Sequence, residues 1–243
     1  MHRIILITLL STGCAASTTS EQNNDPNDAT SSNNTNSTSS ATNNGADGGA
    51  VEFTTEVWAD NWFAMYEGET LVGEDSVPIT TERSFNAEVF SFEATYPLHL
   101  NVIVKDFKEN DSGLEYIGQP NQQMGDGGLI IQVRERSSGA LVAVTDATWK
   151  CMPIHRAPLN KDCEDSTDPL AECVSEILEE PAGWKAAGFD ASAWPAAVVH
   201  SAQAVGPKDG YDEITWDPTA SLIWGSDLET DNTLLCTVTV PSP

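Results

Sequence analysis

Positive charge is scarce in this chain. Only 11 Lys and Arg residues stand against 37 Asp and Glu residues in 243, which gives a formal net charge of −26. Nucleic acids and anionic lipid headgroups are bound through clusters of basic residues, so both are poor partners for this protein. The excess of carboxylates favours solubility in a salty or surface environment, and some of them could ligate calcium.

Recognisable catalytic motifs are also missing. The sequence contains neither Gly-x-Ser-x-Gly nor His-Glu-x-x-His, and no Ser–His–Asp arrangement can be placed in it. With so many acidic residues, no one pair of carboxylates can be nominated as the acids of a glycosidase. We therefore predict a binding protein and not an enzyme.

The N-terminal apolar run is too short to cross a membrane. It covers residues 4–10, is apolar except for Thr8, and follows Arg3, as in the core of a signal peptide. Gly13-Cys14 then resembles a bacterial lipobox, with Leu10 one position earlier than usual. The resemblance implies an exported lipoprotein, membrane-anchored by lipid on Cys14 at the bacterial outer membrane or cell surface. The alternative is an ordinary cleaved signal followed by an incidental cysteine.

Large apolar residues are absent from residues 15–50, where Ser, Thr and Asn dominate. Such a segment cannot bury enough apolar area to offset its chain entropy, so we predict a disordered linker. A flexible coil of this length has an end-to-end distance of about 30–35 Å. Residues 1–14 are then the signal peptide, and residues 51–243 have the size of one folded domain.

Four cysteines follow Cys14. An even number in an exported domain predicts two disulfides, and the lack of a Cys-x-x-Cys motif argues against zinc or thioredoxin-type chemistry. Three pairings are possible, and we favour Cys163–Cys173 together with Cys151–Cys236.

Alternating apolar residues predict short strands at 51–58, 62–66, 88–94, 98–105, 129–135, 140–145 and 233–240. One helix is predicted after Asp168, with Pro169 at its first position and an apolar stripe from Leu170 to Leu178, ending at Pro181. Many strands in series with one disulfide-tied helical insert predict a mainly β fold. We expect an antiparallel β-sandwich and not a parallel α/β sheet.

Two segments resemble galactose-binding-like jelly-roll modules of the carbohydrate-binding type attached to glycosidases. One is Ala-Asp-Asn-Trp-Phe-Ala-Met-Tyr-Glu-Gly-Glu at 59–69 with Leu-Val-Gly at 71–73; the other is Gly-Trp at 183–184 with Gly-Phe-Asp-Ala-Ser-Ala-Trp-Pro-Ala-Ala at 188–197. Residues 220–224 and 232–240 are similar to later elements of these modules. The segments come in the reverse of the usual order, so the resemblance implies a circularly permuted jelly roll with strand 233–240 near the strand at Val51.

The sandwich assigns most motif aromatics to packing. Trp184, Phe189 and Trp194 are expected at the base of the core, and Trp62 and Tyr66 are expected to alternate into it. Asp190 and Ser192 are expected to stabilise a turn, and Gly68 to supply a positive φ in a hairpin.

Calcium is the cofactor that the resemblance implies. Asp60 and Asn61 lie at a strand end, where such modules often ligate calcium through loop oxygens. Asp126 stands among three glycines at 125–128, which we interpret mainly as a tight turn before a strand, with a calcium contact as a further possibility.

A glycan or another polar surface ligand is the predicted partner. Trp216 and Trp224 flank an acidic loop that runs from Asp227 to Asp231, and a tryptophan beside carboxylates can stack on a sugar ring while the carboxylates bind its hydroxyls. The alternative is a buried tryptophan beside a solvated loop.

Two further function classes stay open. His155, His200 and Met152 offer soft ligands for copper at a cell surface, although the histidines show no metal-ligand spacing. The other class is a structural or adhesive envelope protein without a small-molecule site.

Overall fold

The structure, a computed structural model, describes residues 49–243. The predicted signal peptide, Cys14 and nearly all of the predicted linker lie outside these residues. No helix in the described range is both long enough and apolar enough to cross a membrane.

Two antiparallel six-stranded sheets make up most of the fold. In the first sheet the order is β12-β13-β8-β1-β4, with β9 also paired to β8. Its strands are β1 (Val51–Asp60), β4 (Ala87–Ala94), β8 (Gly128–Glu135), β9 (Leu141–Val144), β12 (Val198–His200) and β13 (Leu222–Trp224).

The second sheet has the order β11-β10-β14-β5-β2-β3. It consists of β2 (Trp62–Glu67), β3 (Thr70–Glu74), β5 (Leu98–Lys105), β10 (Lys150–Arg156), β11 (Glu176–Ile177) and β14 (Asp231–Val240). A separate pair joins β6 (Leu114–Glu115) to β7 (Gln123–Met124). The predicted mainly β fold with antiparallel sheets is confirmed.

The main core lies between the two large sheets, as the period-2 pattern of the strands dictates. Phe53 and Val57 of β1 and Ile131 of β8 face Phe63 of β2 and Leu100 of β5 across it. Buried alternate residues of this kind come from both sheets, which is what makes the fold a sandwich.

Both sheets are also covered on part of their outer faces. Trp58 packs there with Ile130 and Leu222 against Val205, which belongs to α2 (Ala202–Val205). On the second sheet Trp184 and Trp194 cover Ile103 and Leu235. Apolar alternation alone would leave one face of β5 exposed, but Asn101 and Ile103 are buried because this second aromatic layer lies over them.

The placement of the motif aromatics therefore differs from the prediction. Trp184 and Trp194 are buried, with Phe189 5.4 Å from the Trp194 ring, but they pack on the outer face and not at the base of the inter-sheet core. Trp62 and Tyr66 pack against the same outer cluster, and the alternate β2 residues Phe63 and Met65 enter the core. The prediction that alternate β2 residues face the core is correct, but the prediction that Trp62 and Tyr66 are the inward residues is wrong.

Two predicted turns are confirmed. Gly68 has a φ of +54° between β2 and β3, and the Ser192 amide donates to Asp190 Oδ1 at 2.9 Å. Strand β14, however, pairs with β10 and β5, whereas β1 pairs with β4 and β8. The Val51 strand and strand 233–240 thus belong to opposite sheets and are not paired neighbours.

Both favoured disulfides are confirmed. Cys151 and Cys236 stand opposite each other on β10 and β14, and Cys163–Cys173 closes an insert at the edge of the second sheet. That insert contains the 3-10 helix Lys161–Asp165 and α1, which is only Pro169–Glu172; a further 3-10 helix is Tyr211–Glu213.

The predicted long amphipathic helix is wrong in extent. Its apolar stripe is exposed at Leu170, Val174 and Ile177, and Ile177 forms strand β11 instead. Asp168 precedes the helix without a side-chain cap hydrogen bond. The disulfide to Cys163 holds Cys173 in an extended conformation directly after α1, so a continuous helix cannot pass through it.

Candidate metal centre

Three aspartates converge at one end of the sandwich. Carboxylate oxygens of Asp60, Asp106 and Asp126 all lie within 4.8 Å of one another. Among the His, Cys, Asp and Glu side chains of residues 49–243, this is the one group of three or more with such a spacing. Two of the three residues, Asp60 and Asp126, were predicted as calcium ligands from the sequence.

Different elements deliver the three side chains. Asp60 ends β1 in the first sheet, Asp106 directly follows β5 in the second sheet, and Asp126 lies in the loop before β8. The Asn61 amide donates to Lys105 O at 2.7 Å and the Asp106 amide donates to Asn232 O at 2.9 Å. The first bond fixes the end of β1 against β5, and the second fixes the end of β5 against β14. The Asp60 and Asp106 carboxylates are thereby held close to each other.

The two inner carboxylates form no hydrogen bonds with the protein. Asp60 is fully buried and Asp106 is 2% exposed, yet none of their four carboxylate oxygens has a hydrogen-bond partner. Burial, reinforced by the negative charge of Asp126, raises the pKa of Asp60 well above its usual range. Burial and the charge of Asp60 raise the pKa of Asp106 in the same way. An unpaired buried carboxylate is costly, which makes this pair a candidate cation site.

Two more ionisable groups surround the aspartates. Lys208 Nζ donates to Asp126 Oδ2 at 2.9 Å and lies 4.6 Å from the centre of the Phe85 ring. Glu115 is buried, accepts a hydrogen bond from Gln123 Nε2 at 3.0 Å, and has its pKa raised by burial to about 7. Asp126 is the outermost of the three aspartates, since its side chain is 38% exposed.

Two glycines allow this close packing. A Cβ on Gly125 would stand 1.7 Å from Asp106 Oδ2, and one on Gly127 would stand 2.2 Å from the Trp224 ring. Neither residue needs a positive φ. The glycines beside Asp126 therefore serve close approach, and the tight turn predicted from them is not the reason for their presence.

We expect Gly125→Ala to weaken divalent cation binding at least ten-fold, because its methyl group occupies the position of the Asp106 carboxylate. Isothermal titration with CaCl2 measures the effect. Gly188→Ala is the matched control, since nothing lies within 4 Å of a Cβ at that position. Equal calcium affinity in wild type and Gly125→Ala would contradict the placement of Asp106 at the ion.

Asn61, the third predicted calcium ligand, has a different role. Its Oδ1 accepts a hydrogen bond from the Phe107 amide at 2.6 Å, and its Nδ2 donates to Glu82 O at 3.0 Å. Both polar atoms are thus occupied, and Asn61 holds the residue next to Asp106 in place. Asp106 itself was not among the predicted ligands. The available signal was a carboxylate directly after an apolar strand.

The predicted glycan groove is not formed. Trp224 is 1% exposed and donates from Nε1 to Asp231 O at 2.7 Å, and Asp231 is fully buried beside Arg156. Asp227 pairs with Lys161 at 2.8 Å. Trp216 is half-buried against Tyr211, with 5.8 Å between ring centroids. The alternative interpretation, a buried tryptophan beside a solvated loop, is correct for the Trp224 ring but not for Asp231, which is fully buried.

We expect Trp216→Ala to lower the free energy of unfolding by about 2 kcal/mol, since the half-buried ring packs on Tyr211 and donates from Nε1 to Tyr211 O. Urea denaturation measures the loss. A variant of unchanged stability would show that the ring does not contribute to packing and would return it to the ligand-binding candidates.

The three copper candidates are spread over the fold. His155 lies on β10 and Met152 packs on the outer cluster of the same second sheet, whereas His200 lies on β12 at the edge of the first sheet, with Nε2 3.0 Å from Gly225 O. Strand positions in opposite sheets do not supply convergent ligands.

His155 is instead a buried neutral side chain. Burial and nearby Lys108 lower its pKa to about 4. Protonation in the unfolded chain, near pH 6.5, then precedes protonation in the folded protein, so the stability due to neutral His155 is present above pH 6.5 and lost as pH falls towards 4. Between pH 7 and pH 4, the free energy of unfolding of wild type should fall by up to about 3 kcal/mol more than that of His155→Gln. Urea unfolding at both pH values tests this, with His99→Gln as control; equal losses in all three proteins would refute it.

A polar cavity of about 330 Å³ lies on the outer face of the second sheet. Asn101 and Thr237 on its floor are joined by a 2.7 Å hydrogen bond, and Lys150, Phe189 and Ser192 contribute to its walls. Polar groups beside an aromatic ring edge suit a hydroxyl-rich ligand.

Comparison with known proteins adds no relative. No family model, curated protein or solved structure matches the chain.

Proposed function

We propose that this chain is a surface-tethered binding protein whose β-sandwich holds a divalent cation, with calcium the favoured ion, at Asp60, Asp106 and Asp126. The observation that supports the proposal is the pair of buried carboxylates, Asp60 and Asp106, without a single hydrogen-bond partner. The third aspartate within 4.8 Å supplies the convergence that a cation requires.

The donor set supports a hard cation. All three candidate ligands are carboxylates, and hard ions such as Ca²⁺ are held by oxygen ligands. When bound, the ion supplies positive charge that compensates the buried carboxylates and joins β1, β5 and the loop before β8. The role proposed for it is to stabilise this end of the sandwich. The soft ligands proposed for copper do not converge, so calcium is preferred.

The ligand proposed for the module is a glycan or a similar hydroxyl-rich molecule. The cavity around Lys150, Ser192 and Thr239 supports this, because its polar groups stand beside Phe189 and Trp184. We expect titration with a panel of neutral oligosaccharides to shift amide NMR signals of these residues. Lys150→Ala should weaken any such binding, and signals that shift elsewhere, or nowhere, would argue against this cavity as the binding site.

The tether belongs to the same proposal. Lipid on Cys14 would hold the module at the membrane, with residues 15–50 as the spacer. Wild type should then partition into the detergent phase of a membrane extract, and Cys14→Ser should appear in the soluble fraction. Unchanged membrane association would refute lipidation at Cys14.

Calcium titration is the central experiment. We expect CaCl2 to bind the purified domain 49–243 with one-to-one stoichiometry and to raise its melting temperature, and EDTA to reverse the shift. A domain that shows no calorimetric binding of Ca²⁺, Mg²⁺ or Mn²⁺ would refute the cation proposal and favour a structural or adhesive envelope protein.

A further inference from the structure

Lys208 is a basic residue in direct contact with the three-aspartate site. It follows α2 and the turn at Gly206, and its ammonium donates to Asp126 Oδ2 at 2.9 Å. In the described chain Asp126 forms no ion pair with any other basic residue. The ammonium carries a fixed unit of positive charge right beside the position of the ion.

The site is more than a collection of acidic side chains. Asp60 and Asp106 are buried, point their oxygens towards Asp126 and lack any hydrogen-bond partner. Three ionised aspartates contribute a charge of −3, and Lys208 reduces this to −2. With the neighbouring Glu115 in its neutral form, a divalent cation would neutralise the site. Without Lys208 the same three carboxylates would match a trivalent ion.

We propose that Lys208 determines the ion selectivity of this site, favouring divalent over trivalent cations by charge balance. The inference rests on the proposed cation site. Repulsion between Lys208 and the ion scales with the charge of the ion, so it penalises a trivalent ion one and a half times as strongly in free energy.

The side chain has space to remain nearby when an ion is bound. Lys208 lines a cavity of about 330 Å³ together with Phe85, Glu115 and Tyr116. Its position over the Phe85 ring keeps the ammonium next to the aspartates by a cation–π contact. The positive charge is therefore retained close to the site and continues to act on the bound ion.

The size of the effect follows from Coulomb's law. For a separation of about 5 Å and the dielectric constant of bulk water, about 80, loss of the Lys208 charge raises the affinity for a divalent ion at least about 16-fold. The corresponding gain for a trivalent ion is at least about 67-fold. The preference for trivalent over divalent ions should thus rise at least about four-fold.

The experiment compares Ca²⁺ and Tb³⁺ binding to wild type, Lys208→Gln and Lys208→Arg at one pH. Calorimetry gives the calcium affinity. Terbium luminescence excited through tryptophan gives the terbium affinity, since Trp224 packs against Gly127 beside Asp126. Lys161→Gln is the matched control, because Lys161 pairs with Asp227 and Glu229 away from the aspartates.

Lys208→Gln should gain affinity for both ions, with the larger gain for Tb³⁺. Lys208→Arg and Lys161→Gln should keep the wild-type ratio of Tb³⁺ affinity to Ca²⁺ affinity. If both proteins bind calcium and the ratio of Tb³⁺ affinity to Ca²⁺ affinity is the same in wild type and Lys208→Gln, the role of Lys208 is overturned and the cation site stands. Failure of both ions to bind any of the four proteins would overturn the site itself.

Discussion

Asp106→Asn should abolish calcium-dependent stabilisation of the domain. Asp106 is almost completely buried and contributes one of the two carboxylates without a hydrogen-bond partner. In wild type, calcium at one hundred times its dissociation constant should raise the free energy of unfolding by about 2.7 kcal/mol. The variant should gain almost nothing, because the amide removes one ligand charge from the interior of the site.

The same substitution should have the opposite effect in EDTA. Without the ion, wild type must either bury an uncompensated negative charge at Asp106 or hold a proton there, as its raised pKa indicates. Asn carries no charge, so Asp106→Asn should be about 1–2 kcal/mol more stable than wild type under these conditions.

Urea denaturation with calcium and with EDTA gives both values in one experiment. Asp162→Asn is the control, because Asp162 is exposed and its substitution changes the net charge equally. A variant that keeps the full calcium response would exclude Asp106 as a ligand. A variant that is less stable than wild type in both buffers would instead indicate that the carboxylate has a packing role.

Removal of the Cys151–Cys236 disulfide should destabilise the domain more than removal of Cys163–Cys173. The first bond joins residues 85 positions apart, and the second joins residues 10 positions apart. Loop-closure entropy then gives a contribution of about 4.6 kcal/mol for the first bond and about 2.7 kcal/mol for the second. The cost of Cys151→Ala with Cys236→Ala rises further, because both side chains are buried between the sheets.

Thermal and urea unfolding of the two double-alanine variants measure the difference. Both variants lose two sulfurs and one crosslink, so each serves as the control for the other. Equal losses would show that loop length does not govern the contribution of these bonds. A larger loss for Cys163→Ala with Cys173→Ala would mean that the edge insert stabilises the sandwich more than its exposed apolar residues indicate.

The strands were predictable because their pattern is local. Alternation of apolar residues at 51–58 and 98–105 gave strands that agree with β1 and β5 to within two residues. It was harder to predict which face of each strand packs into the core. Trp62 and Phe63 are adjacent aromatic residues, and the outer layer formed by Trp184 and Trp194 decides which of them points inward.

The helix after Asp168 illustrates the opposite failure. Its capping residue, proline and apolar stripe all favour a helix by local rules, yet the chain leaves the helical conformation at Cys173. The covalent bond to Cys163 overrides those preferences, and the exposed side chains of Leu170 and Val174 show that no apolar surface covers the stripe. Amphipathic helices in proteins depend on such a surface.

The candidate site was predictable only in part, since its residues come from three separate regions. Asp60 was found through its strand end and Asp126 through its glycine neighbours. Asp106 depends on the register of β2 against β5, in which Trp62 pairs with Lys105, and no local pattern around 106 carries that information. Trp216 failed as a predicted ligand contact for a related reason, because α2 and the Tyr211 region cover the outer face of the first sheet. Trp224 failed because it is buried in the main core.

The position of β1 has a mechanical consequence. This strand begins at Val51, where the proposed tether enters the domain, and it is hydrogen-bonded along its length to β4 and β8. A pull transmitted through the tether would reach the domain at this end of β1, where the hydrogen bonds to β4 and β8 would oppose it. The far end of β1 is Asp60, so an ion there would join the loaded strand to β5 of the opposite sheet. Calcium would then raise the force needed to extract β1, and slow its forced unfolding, in addition to any change in equilibrium stability.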